Sequence, residues 1–485
     1  MLLCRFLFAS ETVPQPMKWF VSCPRIRKGI PGLLILWIFH TSAFAQEKKD
    51  TTTLAYAFHE GSVRGNLRNA LLLTNNAPGL TDYQADAIGG HLVYQTGSFK
   101  GFRLAVGTHF TFPLTTSGLS EPDPATGALN RYEATLFDVT KPQEKRNLAL
   151  VSLLNLTWQW KDSRIILGRQ WLNTPFINMQ DNRMQPTAVE GFYSDIRLQK
   201  WKVEAAWLRG IAPRGTMHWY NVAGSMGLYP QGTNSDGSRG NYLANVKTSG
   251  IGLLGLHYEP DQHLHLQAWE QYADNLFNTV LVQGDYKVPL DKDARWLFSL
   301  QYIRQDIVQD GGHADPAKAY FSNGNRVNVI GARTGWENNR ARALLNYTRI
   351  TAGGRFSMPR EWGTEPFFTF LSRERNEGAG GVHAASVTVK WEFPKQHLTV
   401  EGGYGRYYMP DVKQYTLNKY GMPSYNHTKI GVDYVCGGKL QPLRLSALYI
   451  YKGDKGDTYN NPKYVINKVN VSHFAFVVNY PFSTK

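Results

Sequence analysis

The 485-residue sequence predicts an all-β protein, an antiparallel barrel of about 18 strands. Three observations support this fold class. No apolar pattern with the 3.6-residue period of a helix persists after residue 50. Apolar and polar residues alternate instead with a period of two, which gives a strand two different faces. The connections between these segments alternate between short and long, as in hairpins that turn tightly at one end only.

The alternation is clearest where aromatic residues are frequent. Leu154, Leu156 and Trp158 alternate with Asn155 and Thr157. Because neighbouring side chains of a strand point to opposite faces, such a segment has one apolar and one polar face. Predicted strands of this kind begin near residues 54, 86, 100, 147, 162, 188, 201, 249, 262, 275, 294, 325, 340, 381, 396, 425, 440 and 469.

The connections indicate which strand ends lie together. Short ones are found at Gly97–Gly101, Lys161-Asp162, Glu259–Gln262, Val288–Asp293, Glu337–Asn339, Pro394–Gln396 and Gly437-Gly438. Long ones are found at Phe112–Arg146, Trp171–Thr187, Ile211–Thr248, Ile307–Gly324, Thr351–Gly380, Tyr408–Ser424 and Gly453–Lys468. The joint Ala273-Asp274 is short where a long one is due. With an even number of strands, both chain ends lie on the side of the tight turns.

This plan is typical of a transmembrane barrel with short periplasmic turns and long extracellular loops. Such a sheet has to close, because in lipid every backbone N–H and C=O group needs a partner. Aromatic residues near the short turns fit an interfacial girdle; they are Trp160, Trp201, Tyr258, Trp296, Trp336 and Trp391. A large soluble β-sandwich also alternates and stays open as an alternative, although its loops have no reason to alternate in length.

The N-terminus is typical of a secretory signal peptide. Basic residues precede the apolar stretch Ile30–Phe44, and Ala43-Phe44-Ala45 is a cleavage motif, with Met17 as an alternative start. We therefore expect residues 1–45 to be a signal peptide and residues 46–485 to form a barrel domain in the outer membrane of a Gram-negative bacterium. Loss of the five basic residues and one acidic residue of the leader would lower the formal net charge from +15 to +11. Such an excess attracts anions.

The polar phase of each strand lines the lumen if the apolar phase faces lipid, and its charges then set selectivity. It carries the basic residues Arg103, Arg164, Arg197, Lys202, Arg342, Lys390, Lys429 and Arg444. It also carries the acidic residues Asp195, Glu204, Glu392, Glu401 and Asp433. The basic excess predicts a mild preference for anionic or carboxylate-bearing solutes. The alternative, that each arginine is an ordinary lumen charge paired with a neighbouring acid, stays open.

Two long loops contain dense runs of aromatic and proline residues, which indicate ordered loops that fold inward. Asp181-Asn182-Arg183-Met184-Gln185-Pro186 ends the third external loop, and Pro359–Phe368 fills the seventh. At these runs the sequence resembles the OprD-like family of outer-membrane porins, and the resemblance covers essentially the whole chain after the leader. Further similar motifs are Leu167-Gly168-Arg169-Gln170, Gly191, Gly61-x-x-Arg64-x-x-x-Arg68 and Asn418-Lys419-Tyr420-Gly421.

The resemblance implies a substrate-specific channel of about 18 strands with a narrow eyelet. The eyelet would be shaped by Asp181, Arg183 and Pro186 of the third loop and by Glu361 and Trp362 of the seventh. The resemblance further implies a ladder of basic side chains that guides carboxylate-containing substrates, often amino acids or aromatic acids. Basic lumen residues of this chain would supply the ladder.

The C-terminal strand also bears on assembly. Outer-membrane barrels usually end on an aromatic residue that the barrel-assembly machinery reads. Phe482 is suitably placed for this role, but Ser483-Thr484-Lys485 follow it, and Pro481 removes a backbone donor. Other expected partners are small-molecule solutes and outer-membrane lipid, while nucleic acid is not expected. The sequence leaves open whether the protein is a monomer or a trimer.

The sequence therefore predicts a passive diffusion channel for small hydrophilic solutes, without catalytic residues, cofactor or metal. No phosphate-binding loop and no G-x-S-x-G nucleophile motif is found in it. Two histidines in His263-x-His265 share a strand face, but a zinc site would need further ligands at the same depth. The alternative function is an outer-membrane barrel enzyme, lipase-like, or an adhesin.

Overall fold

A computed structural model describes residues 53–142, 148–180, 183–373 and 375–484. The signal peptide expected at residues 1–45, with Met17, lies outside the described residues and stays a prediction, and Asp181 lies outside them too. Within the described ranges, no helix combines the length and the apolar character needed to cross a membrane.

Strands dominate the chain, and their bounds follow in order. They are β1 Ser62–Asn75, β2 Tyr83–Gln95, β3 Phe102–Thr116, β4 Leu148–Trp160, β5 Ser163–Gln170, β6 Ala188–Leu198, β7 Trp201–Ala212, β8 Tyr220–Asn221, β9 Ile251–Tyr258, β10 Leu264–Ala273, β11 Phe277–Pro289, β12 Arg295–Ile307, β13 Arg326–Glu337, β14 Ala341–Ile350, β15 Val382–Phe393, β16 Leu398–Tyr408, β17 Tyr425–Val435, β18 Arg444–Asp454 and β19 Val471–Ser483. One α-helix, α1, spans Leu54–His59, and short 3-10 helices lie at Glu133–Leu136, Ala223–Ser225, Pro394–Gln396, Gly438–Leu440 and Pro462–Tyr464.

These strands form a single closed sheet. Each long strand pairs antiparallel with its neighbours in the chain, and β1 pairs with β19 from Arg64↔Ser483 to Asn75↔Ser472. The two-residue strand β8 pairs only with the extracellular end of β7. The rest of β7 pairs with β9, so β8 is not one of the wall strands. The predicted closed barrel of 18 antiparallel strands is thus confirmed. Closure supplies each wall strand with a partner on both sides, as the bilayer requires.

The first strand begins later than predicted. The sequence pattern placed it near residue 54, but Leu54–His59 form α1, and β1 begins at Ser62. The Thr53 hydroxyl caps this helix by accepting a hydrogen bond from the Tyr56 N–H at 3.1 Å. Side-chain capping of this kind starts a helix, and a local signal of three residues is easily missed in a scan for period-two alternation.

Nine external loops alternate with tight periplasmic turns. We name them L1 (76–82), L2 (117–147), L3 (171–187), L4 (213–250), L5 (274–276), L6 (308–325), L7 (351–381), L8 (409–424) and L9 (455–470). L5 is the short external connection that the sequence placed at Ala273-Asp274. L4 and L6 meet beside it, because the Lys247 N–H donates to the Gly312 carbonyl oxygen at 2.9 Å.

The outer face of the wall is apolar. Along β12, Trp296, Phe298, Leu300 and Tyr302 are exposed, whereas the alternate residues are mostly buried. Leu300 is 69% exposed, which is stable only if this face is covered by hydrocarbon. Aromatic pairs lie on this face next to the periplasmic turns: the rings of Trp201 and Tyr258 are 4.3 Å apart. This is where an interfacial girdle belongs.

The inside of the barrel differs between its two ends. Towards the periplasm, inward side chains are polar. Towards the outside, inward apolar residues such as Phe277, Ile350 and Val382 pack against loop residues, including Phe356 and Trp362 of L7. The extracellular half of the lumen therefore contains an apolar core, made where wall and loops meet. The sequence pattern placed the polar phase of each strand in the lumen, and at this end inward positions are apolar where the loops pack on them.

We expect Leu300→Arg to destabilise the barrel by about 2–4 kcal/mol, because it places a guanidinium in hydrocarbon halfway along β12. Urea unfolding in lipid vesicles, followed by tryptophan fluorescence, would measure the loss. Thr388→Arg is the matched control, since Thr388 lies halfway along β15 in the inward phase. Equal losses in the two variants would contradict the assignment of faces.

Candidate channel constriction and basic pocket

L7 runs down into the lumen and is held there by the wall. The Pro366 carbonyl oxygen accepts from Gln301 Nε2 at 3.1 Å, and the Thr369 carbonyl oxygen accepts from the Tyr407 hydroxyl at 2.7 Å. The Arg333 guanidinium lies over the Phe368 ring, 4.3 Å from its centroid. Three wall strands, β12, β13 and β16, thus fix the same short segment of L7.

L3 and L7 are joined to each other across the lumen. The Asn178 side chain of L3 donates to the Thr364 carbonyl oxygen at 2.9 Å and accepts from the Thr364 N–H at 3.0 Å. Arg375 of L7 donates to Gln180 Oε1 of L3 at 2.6 Å. A Cβ on Gly363 would lie 2.9 Å from Asn178 Nδ2, so a larger residue here would displace the Asn178 amide from its hydrogen bonds with Thr364.

The constriction residues expected in L7 are buried. Trp362 has no exposed surface; its ring centroid lies 6.1 Å from that of Phe277, and its Nε1 donates to Ser225 Oγ at 2.9 Å. Glu361 Oε1 accepts from the N–H groups of Gly227 and Tyr229 at 2.9 and 3.0 Å. These side chains tie L7 to L4, so they can shape an opening but do not face a solute.

The residues expected in L3 are placed in the same manner. Arg183 is buried, and its Nε donates to Thr135 Oγ1 of L2. Its carbonyl oxygen accepts from Arg68 of β1. Pro186 borders a cavity of about 330 Å³ of unfilled space between L3 and the wall, which is also lined by Arg68. The roles of Arg183, Pro186, Glu361 and Trp362 in a constriction stay predictions, and no structural statement covers Asp181.

A second cavity, with about 400 Å³ of unfilled space partly open to solvent, lies between L2, L7, L8, L9 and β18. We call it the basic pocket. Its charged lining residues are Arg131, Arg360, Arg375, Lys452, Lys468 and a single acid, Glu377. Five basic residues around one carboxylate give this pocket an excess of positive charge, which favours anions.

The single acid of the pocket, Glu377, already accepts hydrogen bonds from two residues of the pocket. Glu377 Oε2 accepts from Arg360 Nε at 2.7 Å, and its Oε1 accepts from the Tyr420 hydroxyl at 3.1 Å. The Arg360 guanidinium also lies 3.6 Å from the centroid of the Tyr420 ring. Opposite charge and the aromatic face together raise the pKa of Arg360 despite its burial.

Other cations of the pocket contact neutral groups. Arg131 Nη1 donates to the Asn467 carbonyl oxygen at 3.2 Å, and Lys468 Nζ donates to the Lys463 carbonyl oxygen at 2.6 Å. Among the described residues, no carboxylate lies within ion-pair distance of Arg131 or Lys468. Burial, followed by the charges of Arg131, Lys463 and Arg360, lowers the pKa of Lys468 to about 7. This lysine therefore titrates near neutral pH.

The basic lumen residues predicted from strand phase lie elsewhere. Six of them project inward within four residues of a periplasmic turn: Arg103, Arg164, Arg197, Arg342, Lys390 and Arg444. Lys429 lies halfway along β17. They form a ring at the periplasmic mouth with one residue above it, rather than a ladder through the barrel.

Three members of this ring, and Lys429 above it, are paired with acids. Arg164 lies 3.6 Å from Asp195, Arg342 lies 3.1 Å from Glu337, Lys390 lies 2.6 Å from Glu392, and Lys429 lies 2.5 Å from Glu401. Arg103 is 3.4 Å from Gln159 Oε1. Within the described ranges, Arg197 and Arg444 are exposed with no carboxylate at ion-pair distance. The sequence left the choice between guiding charges and ordinary ion pairs open, and the ring contains both arrangements.

Sequence reasoning missed the basic pocket. Lys452 could have been found, because it lies in the inward phase of β18. Arg131 and Lys468 lie in L2 and L9, where no periodicity shows which way a side chain points. Two similarity motifs did point there, since Arg360 precedes Glu361-Trp362-Gly363 and Tyr420 belongs to Asn418-Lys419-Tyr420-Gly421.

Comparisons with known proteins agree with this architecture. The model of a family described as "outer membrane porin, OprD family" matches residues 137–350. The fold is similar to that of Pseudomonas aeruginosa OccK9 (OpdG), with 12% identity and a TM-score of 0.69 over 88% of this chain and 99% of that one. It is also similar to Acinetobacter baumannii OccAB2, with 15% identity and a TM-score of 0.67 over 88% of this chain and 100% of that one.

A third similar structure contains a ligand. Pseudomonas aeruginosa OpdK, solved with vanillate, has 13% identity and a TM-score of 0.65 over 88% of this chain and 99% of that one. No curated protein sequence matches the chain. The family match confirms the resemblance to OprD-like porins over residues 137–350, which include the third loop, and the structures confirm the fold.

We expect Trp362→Ala to loosen L7, because removal of a fully buried tryptophan costs about 3–5 kcal/mol of packing. Faster protease cleavage within residues 351–381 and a larger single-channel conductance would report the change. Trp391→Ala removes an exposed tryptophan of the outer face and should alter neither. Unchanged cleavage and conductance in Trp362→Ala would show that its packing does not hold the loop.

Proposed function

We propose that this OprD-family outer-membrane porin is a passive diffusion channel that favours small carboxylate-bearing solutes, such as amino acids or organic acids. The family consists of channels of the Gram-negative outer membrane, and the fold is that of such channels. The basic pocket carries the finer part of the proposal, since five cations surround one acid that is already paired.

A solute carboxylate suits this pocket for a physical reason. A guanidinium binds a carboxylate through two parallel hydrogen bonds, and Arg131 now donates to a neutral carbonyl oxygen instead. If Arg131 donates to a solute carboxylate in place of this carbonyl oxygen, the new hydrogen bond is charge-assisted and therefore stronger. The site is partly open to solvent, so the gain stays small enough for release.

The route below the pocket would continue past L3 and L7. Lys429 comes next, halfway along β17, and the ring that contains Arg197 and Arg444 follows at the periplasmic mouth. In the ring, acidic partners weaken the attraction of the paired basic residues for a solute anion. This shortens the time for which the anion stays bound. No step in this route needs a catalytic group or a source of energy.

The ligand of one similar structure is consistent with the proposal. OpdK was solved with vanillate, an aromatic carboxylate, although that observation concerns OpdK alone. In this chain the aromatic ring of Tyr420 borders the basic pocket beside Arg360. An aromatic acid would therefore meet a cation and a ring face together.

Assembly in the outer membrane would use the C-terminal strand. Phe482 lies on the outer face of β19 opposite Gly65 of β1, at the seam where the barrel closes. The proposal is that the barrel-assembly machinery reads this strand at Phe482. Thr484 then continues the seam, because its N–H donates to the Val63 carbonyl oxygen at 2.9 Å.

The double variant Arg131→Gln with Lys468→Gln should weaken benzoate uptake in liposome-swelling or bilayer current assays. We expect an increase of about fivefold in the half-saturating concentration, which corresponds to about 1 kcal/mol. Lys455→Gln removes the same kind of charge from an exposed position of L9 and should have no effect. Benzoate uptake unchanged by the double variant would contradict a role for the basic pocket, even if current steps show an open channel.

Anion preference should also fall as the pH rises. Because burial holds the pKa of Lys468 at about 7, the ammonium is mostly charged at about pH 6 and mostly neutral at about pH 8. Reversal potentials measured in a salt gradient at several pH values should show this loss of anion preference. The midpoint pH of the change should rise when a carboxylate is bound, because the anion stabilises the ammonium. Lys468→Arg keeps the charge and should flatten the profile; the same slope in that variant would assign the titration to another group.

A further inference from the structure

The outer face of the barrel carries an unusual group of arginines near its extracellular edge. Outward residues of β12 to β16 are apolar over most of their length, but each of four strands ends in an outward arginine. We call Arg304, Arg326, Arg349 and Arg406 the arginine rim. Each lies within four residues of the extracellular end of its strand, in phase with exposed residues such as Tyr302, Ile330, Leu345 and Tyr404.

Strand register brings the four arginines side by side. Arg304 pairs with Asn328, two residues along β13 from Arg326. Arg349 pairs with Ile330 on one side and with His383 on the other, and Arg406 pairs with Ala385. Since neighbouring strands are about 4.8 Å apart, the rim extends about 19 Å along the wall.

The rim has too few acids to neutralise it. Arg304 holds Asp306 through two hydrogen bonds of 2.6 and 2.7 Å, and Arg326, 76% exposed, lies 3.6 Å from the same carboxylate. Arg349 donates to the Val382 carbonyl oxygen at 3.1 Å. One aspartate thus serves two of the four cations.

The fourth arginine also contacts neutral groups. Arg406 donates to Asn426 Oδ1 at 2.8 Å and lies over the Tyr408 ring. Among the described residues, neither Arg349 nor Arg406 has a carboxylate within ion-pair distance. Four arginines and one aspartate, Asp306, therefore leave an excess of positive charge at the top of an apolar wall.

Tyrosines mark this level as the boundary between hydrocarbon and head groups. Tyr302, Tyr347, Tyr404 and Tyr408 are exposed just below or beside the rim. The Tyr347 hydroxyl is 2.7 Å from His383 Nδ1. Amphipathic rings favour the membrane interface, and outward arginines are tolerated only there. The rim is thus placed to meet lipid head groups rather than lipid tails.

Another part of the wall differs. In the strand residues of β18, β19 and β1–β4 that the structure describes, the outward positions near the extracellular ends include no lysine or arginine. Asp86 lies outward there, hydrogen-bonded to Asn69 at 2.6 Å. The outer edge therefore differs from sector to sector. Arg169 of β5 also lies on the outer face near this edge, but Glu190 pairs with it at 2.8 Å, and Arg209 of β7 is exposed there as a single arginine.

We propose that the arginine rim binds the phosphorylated head group of an outer-leaflet lipid, namely the lipid A part of lipopolysaccharide. A guanidinium matches a phosphate through paired hydrogen bonds, and the apolar wall below the rim would pack against the acyl chains of the same molecule. The inference uses the outer-membrane location and is independent of the solute that the lumen prefers.

Native mass spectrometry of purified protein, after incubation with lipid A bearing two phosphates or with the same lipid dephosphorylated, tests the proposal. The double variant Arg349→Gln with Arg406→Gln removes the two arginines that have no carboxylate partner. Lys395→Gln, an exposed lysine of the periplasmic turn between β15 and β16, is the matched control. Unchanged single-channel conductance would show that the double variant is folded.

We expect wild-type protein and the Lys395→Gln variant to retain the phosphorylated lipid on the order of tenfold more than the dephosphorylated one. The double variant should retain both equally. Equal retention of both lipids by wild type, or an undiminished preference in the double variant, would overturn the proposal. So would full displacement of the phosphorylated lipid by an equal concentration of inorganic phosphate. None of these results depends on benzoate uptake.

Discussion

The bilayer leaves no backbone hydrogen-bonding group unpaired, and the structure depends on this constraint. It forces β1 to meet β19, and the closed sheet that results has an inside too wide for its own side chains to fill. L3, L4 and L7 fill the extracellular half of that space instead. Their apolar residues pack on inward wall residues such as Phe277 and Val382, so the wall acts as the scaffold for the loops.

Charges at the loop core fall into two groups. Glu361 and Arg183 contact other loops and hold them together, as the hydrogen bonds from Gly227 and to Thr135 show. Two cations of the basic pocket are arranged differently, because Arg131 and Lys468 donate to neutral carbonyl oxygens. Burial of an ammonium beside other cations is costly, which lowers the pKa of Lys468.

The sequence predicted the number of strands, their antiparallel order and the resemblance to a porin family, since alternation and loop length are local signals that a closed barrel imposes. It failed where a local signal competes: the Thr53 cap makes α1 where a strand was expected. It also failed where direction depends on tertiary contacts. Phase located Arg444 on the inner face, but nothing local could show that Arg131 and Lys468 converge from L2 and L9.

Because L7 folds into the lumen, external macromolecules can reach only part of the loop surface. Residues that pack within the barrel, such as Trp362, are hidden from antibodies and from phage. The surface open to them includes polar tips such as that of L4, where Ser235, Asp236 and Arg239 are exposed. Selection by antibodies or phage can therefore change the sequence of these tips. The buried segments that shape the channel are under selection for solute uptake only.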